Sequence, residues 1–296
     1  MKILITGADG QLAMEFQRYL EKADCYQATA LNKEKLDISD LNAVSEAILH
    51  SKPDIVLNCA AYNQVDKAED DCNAAFKVNA AGIKNLAFSC KKNDALLVHY
   101  STDYVFDGTK EDFYTEDDVP NPINNYGKSK LAGERFLIEG TDNFLLFRVS
   151  WVFGHGKQNF LYKLTELARK DNKLKIVCDQ VSVPTYTGDI VMITMLAIEK
   201  RIRGLYHLTN SGYASRYEVA RYYFEKLKLC NLLLPVTSNH FPMTAKRPYF
   251  SAMSNTKISE AVHQRIPDWK DAIDRFVSGA QKRLNPETSS GHVLKV

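Results

Sequence analysis

Net charge, paired cysteines and long apolar runs are all scarce in this 296-residue chain. Thirty-eight lysines and arginines face 36 aspartates and glutamates, which leaves only +2. That balance excludes a protein whose main task is gripping a nucleic-acid backbone, while a local anion site stays compatible with it. The six cysteines, at 25, 59, 72, 90, 178 and 230, include no C-x-x-C pair. Such spacing excludes a disulfide frame and a zinc knuckle, and it reads as reduced, mostly buried thiols. The seven histidines are dispersed, none at metal-ligand spacing, so no catalytic metal is expected. The opening Met1-Lys2-Ile3-Leu4-Ile5-Thr6-Gly7 is too short an apolar run for a signal peptide. No later stretch approaches the roughly 18 apolar residues of a membrane span. The expectation is a cytoplasmic protein that partners neither membrane nor nucleic acid.

What is present is ordinary globular material, 45% hydrophobic and 25% charged, long enough for one large or two modest domains. Lys2 to Thr6 is a short apolar run ending in glycine, and Gln11 to Lys22 follows at helical spacing. The alternation continues with strands at 25–31, 55–59, 96–101 and 144–149, and helices at 41–50, 73–92 and 125–139. This pattern predicts an α/β fold, a Rossmann-like doubly wound parallel sheet with helices on both faces. In such a sheet ligands bind beyond the carboxyl ends of the strands. After Val149 the rhythm loosens into helices at 159–171, 187–200 and 216–228, strands at 174–177 and 204–208, and prolines that break the rest. The expectation is a dinucleotide-binding domain over 1–150, a smaller interleaved substrate lobe over 151–284 with segments returning to the first domain, and a loose tail over 285–296.

Gly7-Ala8-Asp9-Gly10-Gln11-Leu12-Ala13 lies where the first strand hands over to the first helix. Gly7 and Gly10 let the backbone turn sharply and approach a ligand, while free N–H groups at the helix start point at an anion. Inside an N-terminal βαβ unit this turn reads as a dinucleotide pyrophosphate site rather than a bare tight turn. Ala13 stands where a third glycine is usual, which widens helix–strand packing without blocking the cofactor. The second strand ends in Asn32-Lys33 with no acid for a ribose 2′-hydroxyl. Lys33 could meet a 2′-phosphate instead, or be a solvated surface lysine; the first reading tilts the choice between NADH and NADPH toward NADPH. Asp37 could accept a hydrogen bond from the adenine amine.

Tyr126 and Lys130 are separated by one helical turn and share a face. An ammonium beside a phenol stabilises phenolate and makes the tyrosine a usable proton donor or acceptor. With 15 tyrosines and 26 lysines, about one such spacing arises by chance, and Tyr222 with Lys226 is a second. Context separates them: Tyr126 follows a strand that ends in Ser101-Thr102-Asp103 at the ligand edge of the sheet, whereas Tyr222 falls in the second lobe and reads as packing. Thr102 can orient a substrate oxygen or the Tyr126 hydroxyl, or merely satisfy loop backbone.

The segments Ile5 to Leu12, Asn58 to Tyr62 with Val65 to Glu69, Tyr100 to Gly108, Tyr126 to Glu134, Arg148 to Phe153, Asp179-Gln180 with Pro184-Thr185, and Lys246-Arg247-Pro248 occur in an order that resembles the extended short-chain dehydrogenase/reductases, and within them the dTDP-4-dehydrorhamnose reductase family. The resemblance spans about residues 1 to 280. It implies Thr102, Tyr126 and Lys130 as the catalytic set, with Tyr126 protonating the oxygen of a 4-keto sugar and Lys130 holding the nicotinamide ribose and depressing the tyrosine pKa. It implies cofactor contacts from Gly7, Asp9, Gly10, Gln11, Leu12, Lys33, Asp37, Ile38, Ala60, Ala61 and Tyr62. Val65, Lys67, Thr102, Asp103, Trp151 and Arg247 would line the nucleotide-sugar side, with Arg247 a candidate for the diphosphate. The implied reaction is NAD(P)H-dependent reduction of dTDP-4-dehydro-6-deoxy-L-mannose to dTDP-L-rhamnose.

Some members of that family are dimers bridged by magnesium through glutamates. Glu15 stands at one such position, but Tyr186-Thr187-Gly188-Asp189 lacks the matching glutamate. A magnesium bridge is therefore not expected, Glu15 reads as a solvated helix residue, and a homodimer stays open. Two alternatives also stay open: another nucleotide-sugar reductase, epimerase or dehydratase on the same scaffold, or a non-catalytic regulatory subunit resembling the accessory subunit of methionine adenosyltransferase.

Overall fold

The computed structural model describes residues 1–284, so the tail expected to be loose lies outside the described residues. Strands β1 (Lys2–Thr6), β2 (Gln27–Leu31), β3 (Ile55–Asn58), β4 (Leu96–Thr102) and β5 (Phe144–Val149) form a parallel sheet with the strand Gly204–His207. The order across the sheet is 204–207, β5, β4, β3, β1, β2. Every residue of β3 and β4 is buried, because helices cover both faces and the strands can be apolar throughout. Ile3, Ile5, Leu57, Val98 and Phe147 pack on one side with Phe16, Ile190 and Ile193. Their neighbours Leu4, Val56, Leu97 and Leu146 pack on the other with Ile48, Ile83 and Leu86. The chain leaves β1 in one direction to β2 and returns on its other side as β3, which opens a crevice at the carboxyl ends of these strands.

Among the described residues three two-stranded ribbons lie outside this sheet: 152–153 with 185–186, 181–182 with 214–215, and 173–177 with 232–236. Phe153, Leu164, Ile176, Val219, Phe224 and Ile273 fill the space between them and their helices. Several expectations need correction here. The prolines do not break this region throughout: Pro235 sits within the strand Leu232–Val236, opposite Ile176. A two-stranded ribbon leaves N–H positions unpaired along its outer edges, so a missing donor is tolerated. The helices Thr256–Val262 and Trp269–Leu284 also lie where no element was expected.

The helix expected over 73–92 is three consecutive pieces, Cys72–Phe76, a π-helical turn Lys77–Ala81, and Gly82–Lys92. The wide turn carries Asn79, whose buried amide accepts from the Tyr62 N–H and donates to the Tyr62 carbonyl and to Ser129 Oγ. A π-turn of this kind is an insertion held by tertiary bonds, invisible to periodicity. The cysteines are not mostly buried either. Only Cys90 is, while Cys25 in a turn, Cys72 at a helix start and Cys230 in a loop are exposed.

Candidate active site

Gly7 has φ +67°, and a Cβ there would lie 2.7 Å from the Ala60 main chain. Only glycine lets the end of β1 pass that close to the end of β3. The Gly10 N–H closes the turn on the Gly7 carbonyl at 2.9 Å, and Gly10 caps the helix Gln11–Leu20 with no side-chain acceptor. The first N–H groups of that helix are thus left for a ligand, and an anion suits them. Gln11 is held by the segment after β5: Asn159 donates to its Oε1 at 2.8 Å.

A cleft of about 300 Å³ opens beside this turn. Gly10, Gln11, Leu12, Ala60 and Ala61 form one wall, and Thr102, Asp103, Tyr126, Lys130 and Trp151 complete it. Ser101 also lines it, and its buried hydroxyl has no partner among the described residues. An uncapped helix start, a glycine-bounded approach and an orphaned hydroxyl in one cleft fit a dinucleotide, with the Gly10–Leu12 turn available to its pyrophosphate.

The remaining cofactor expectations fall outside this cleft. Asp9 and Lys33 are exposed, the latter just past β2. Asp37 accepts from the Ser39 N–H and hydroxyl, which hold its carboxyl below the usual range. The Ile38 side chain is buried in the core and its carbonyl accepts from Asn85. Tyr62 has its backbone pinned by Asn79.

Tyr126 is placed by the start of the helix Asn125–Gly140. Asn124 caps that helix by accepting from the Gly127 N–H at 2.7 Å, and a Cβ at Gly127 would overlap the Tyr104 carbonyl. The Tyr126 ring meets Tyr104 edge-on at 5.9 Å, and its hydroxyl donates to Asn63 Oδ1 at 3.4 Å. Burial pushes the phenol well above its usual range, with the nearby Thr102 hydroxyl opposing that shift. The buried group therefore holds its proton. Lys130 is 2% exposed, donates to the Tyr100 carbonyl at 2.6 Å, and is pushed down to about 8 by burial, with Glu134 opposing. In the protein alone, burial sets the direction of the phenol's shift. Thr102 Oγ1 accepts from the Tyr104 N–H and donates to Asp103 Oδ1, each at 3.2 Å.

Asp103 is buried, and burial raises its pKa while hydroxyls hold it down. Ser182 and Ser251 donate to its Oδ2 at 2.9 and 2.6 Å, tying the ribbon 181–182 and the loop at 251 to the end of β4. A second cleft, of about 910 Å³, is lined by Arg216, Arg247, Lys246 and Asp107 among others. Arg247 does not stand free in its wall: each Asp66 oxygen accepts from one of its terminal nitrogens. Val65 packs near Tyr104 and Tyr126. Lys67 is exposed at the start of Lys67–Asp70 and lines neither cleft, because that short helix directs it to solvent. Glu15 pairs with Arg18 at 3.0 Å, and among the described residues no three metal-ligating side chains converge. Tyr222 donates to Asp274 at 3.0 Å, as does Lys226 at 2.9 Å, away from both clefts.

Asn63, Asn79 and Arg216 were not singled out from sequence. None carries a spacing signal, since each acts through a contact that is distant along the chain.

The profile of the family described as RmlD substrate binding domain matches residues 1–282. A dTDP-4-dehydrorhamnose reductase from Aggregatibacter actinomycetemcomitans is 36% identical over 292 residues, covering 95% of this chain and 99% of that one. The chain belongs to the dTDP-4-dehydrorhamnose reductase family. Membership makes it an NAD(P)H-dependent oxidoreductase. The spore coat polysaccharide biosynthesis protein SpsK of Bacillus subtilis is 37% identical over 276 residues, 93% of this chain and 96% of its own. The crystal structure of the Bacillus anthracis dTDP-4-dehydrorhamnose reductase in complex with NADP superposes with a TM-score of 0.91 at 33% identity, covering 94% and 99% of the two chains. Among the described residues no helix is long and apolar enough to cross a membrane.

Proposed function

We propose that the chain reduces the 4-keto group of dTDP-4-dehydro-6-deoxy-L-mannose to give dTDP-L-rhamnose, with Tyr126 as proton donor. One observation carries the reading: a buried, protonated Tyr126 phenol shares the cleft of the uncapped Gly10 turn. Family membership supplies the substrate class.

A reduced nicotinamide supplies hydride when bound. The rest is the work of the protein. The Gln11 and Leu12 N–H groups at the uncapped helix start would hold the pyrophosphate, and Lys130, anchored to the Tyr100 carbonyl, lines the same cleft. Thr102 sets the substrate oxygen against the Tyr126 hydroxyl, and Tyr126 gives its proton to that oxygen as negative charge develops there. Trp151 bounds the sugar and limits water at the reacting carbon. Asp103 holds the second lobe against the strand end that carries Thr102. Lys33, exposed past β2 with no carboxylate at the preceding position, supports NADPH over NADH.

The test follows absorbance of reduced nicotinamide while purified protein meets dTDP-, UDP- and GDP-linked 4-keto sugars with each coenzyme. Stoichiometric coenzyme oxidation with the dTDP sugar is the expected result. Product formation without net oxidation would identify an epimerase or dehydratase, and an inert protein would favour a binding module.

A further inference from the structure

Arg216 opens the helix Arg216–Leu227 and is half-buried in the wall of the larger cleft. Its guanidinium carbon lies 4.2 Å from the centroid of the Trp151 ring and 5.3 Å from that of Phe160. Its Nε donates to the buried Gln180 Oε1 at 3.2 Å. Among the described residues no carboxylate pairs with it, although Arg18, Arg148, Arg169, Arg247 and Arg275 each have one. Asp107, the one acid in the wall of the cleft, is already occupied by Thr109, Tyr114 and Asn121. A partly desolvated cation without a counterion is costly unless an anion arrives.

Two further features single out this corner. Trp151, which lines the smaller cleft, has φ +38°, a left-handed conformation that a bulky residue holds only under constraint. The buried Tyr104 phenol feels the positive charge of both Arg216 and Arg247, and its ring packs edge-on to Tyr126. The Arg216–Trp151 stack thus joins the larger cleft to the smaller, and Tyr104 joins both arginines to the proton donor.

We infer that Arg216 is the principal anchor for the diphosphate of the nucleotide sugar, and that through its stack on Trp151 it positions the sugar over the smaller cleft. Arg247, bonded to Asp66, completes the site in a secondary role. The inference rests on the nucleotide-sugar reading above. A planar guanidinium suits the task because it can stack on the indole and offer its terminal edge to phosphate oxygens at once.

The test is calorimetric titration of dTDP, thymidine and NADPH into the unaltered protein, Arg216→Met and Arg216→Lys. In the Met variant dTDP binding weakens about tenfold or more, as on losing a charge-assisted contact; the Lys variant falls between, since it keeps the charge but loses the flat fork. NADPH binding stays within about twofold in both, which certifies the fold. Equal dTDP affinity in the Met variant overturns the inference and leaves the reductase reading standing. Should the Met variant misfold, unchanged dTDP affinity in the Lys variant overturns it instead. A loss equally large for thymidine, which has no phosphate, also overturns it. If the unaltered protein binds none of dTDP, UDP and GDP, the reductase reading falls as well.

Discussion

The Lys130 ammonium donates to the Tyr100 carbonyl at 2.6 Å, while the Tyr126 hydroxyl one turn earlier donates to Asn63. The lysine is thus fixed to β4 rather than to the phenol. Burial lowers its pKa to about 8 from 10.5. Between those two values the unfolded chain binds a proton that the folded chain has released, so this group adds stability as pH rises through the window and costs stability below it. Comparing thermal melting of Lys130→Met and the unaltered protein from pH 7 to 10, we expect the unaltered protein to gain on the variant as pH climbs. A difference independent of pH would mean that the ammonium is not desolvated as described.

Tyr126→Phe should leave NADPH binding near normal and cut turnover by about 100-fold or more, as on removing a general acid. Tyr222→Phe should change turnover little, because its hydroxyl serves Asp274. Steady-state kinetics on both variants checks the pair. Comparable losses would show that the wrong tyrosine carries the proton.

Gly10→Val places a branched side chain at the mouth of the phosphate turn, where even a Cβ would stand 3.1 Å from the Gly7 carbonyl. Fluorescence titration should show NADPH binding weakened by at least about 100-fold, roughly 2.7 kcal/mol. Binding at the native affinity would remove the turn from the cofactor site.

Glu134 and Arg148 are nearly solvent-free and joined by three hydrogen bonds of 2.7 to 3.2 Å. Glu134→Ala leaves the guanidinium unpaired, and denaturant unfolding should show a loss of about 3–5 kcal/mol. The lysine one turn earlier loses a neighbour that raises its pKa, so the pH window of the Lys130 comparison should move lower in this variant.

The parallel sheet was legible because Ile3 to Ile5, Ile55 to Leu57 and Leu96 to Val98 are apolar runs bounded by turns, and a doubly covered sheet demands such runs. The glycine turn and the Tyr126–Lys130 spacing were legible because one stretch of backbone fixes them. The ribbons at 152–153, 181–182 and 214–215 were not, since two residues carry no periodicity and only distant partners make them strands. Arg216 was hidden for the same reason: its neighbours Trp151 and Gln180 lie far along the chain. Arg247 was visible, but its engagement with Asp66 was not, because the sequence does not show which carboxylate folds back onto it.

The strand Gly204–His207 runs beside β5 at the margin of the main sheet, after the chain has already formed the strands at 152–153, 173–177, 181–182 and 185–186. Cutting the gene at residue 150 would therefore not release a self-sufficient half. It would strip the flank of β5 and leave a sticky, polymerising edge. A swap between relatives of the residues that follow 150 must leave this returning strand with its own sheet, so a grafted chimera needs more than one junction.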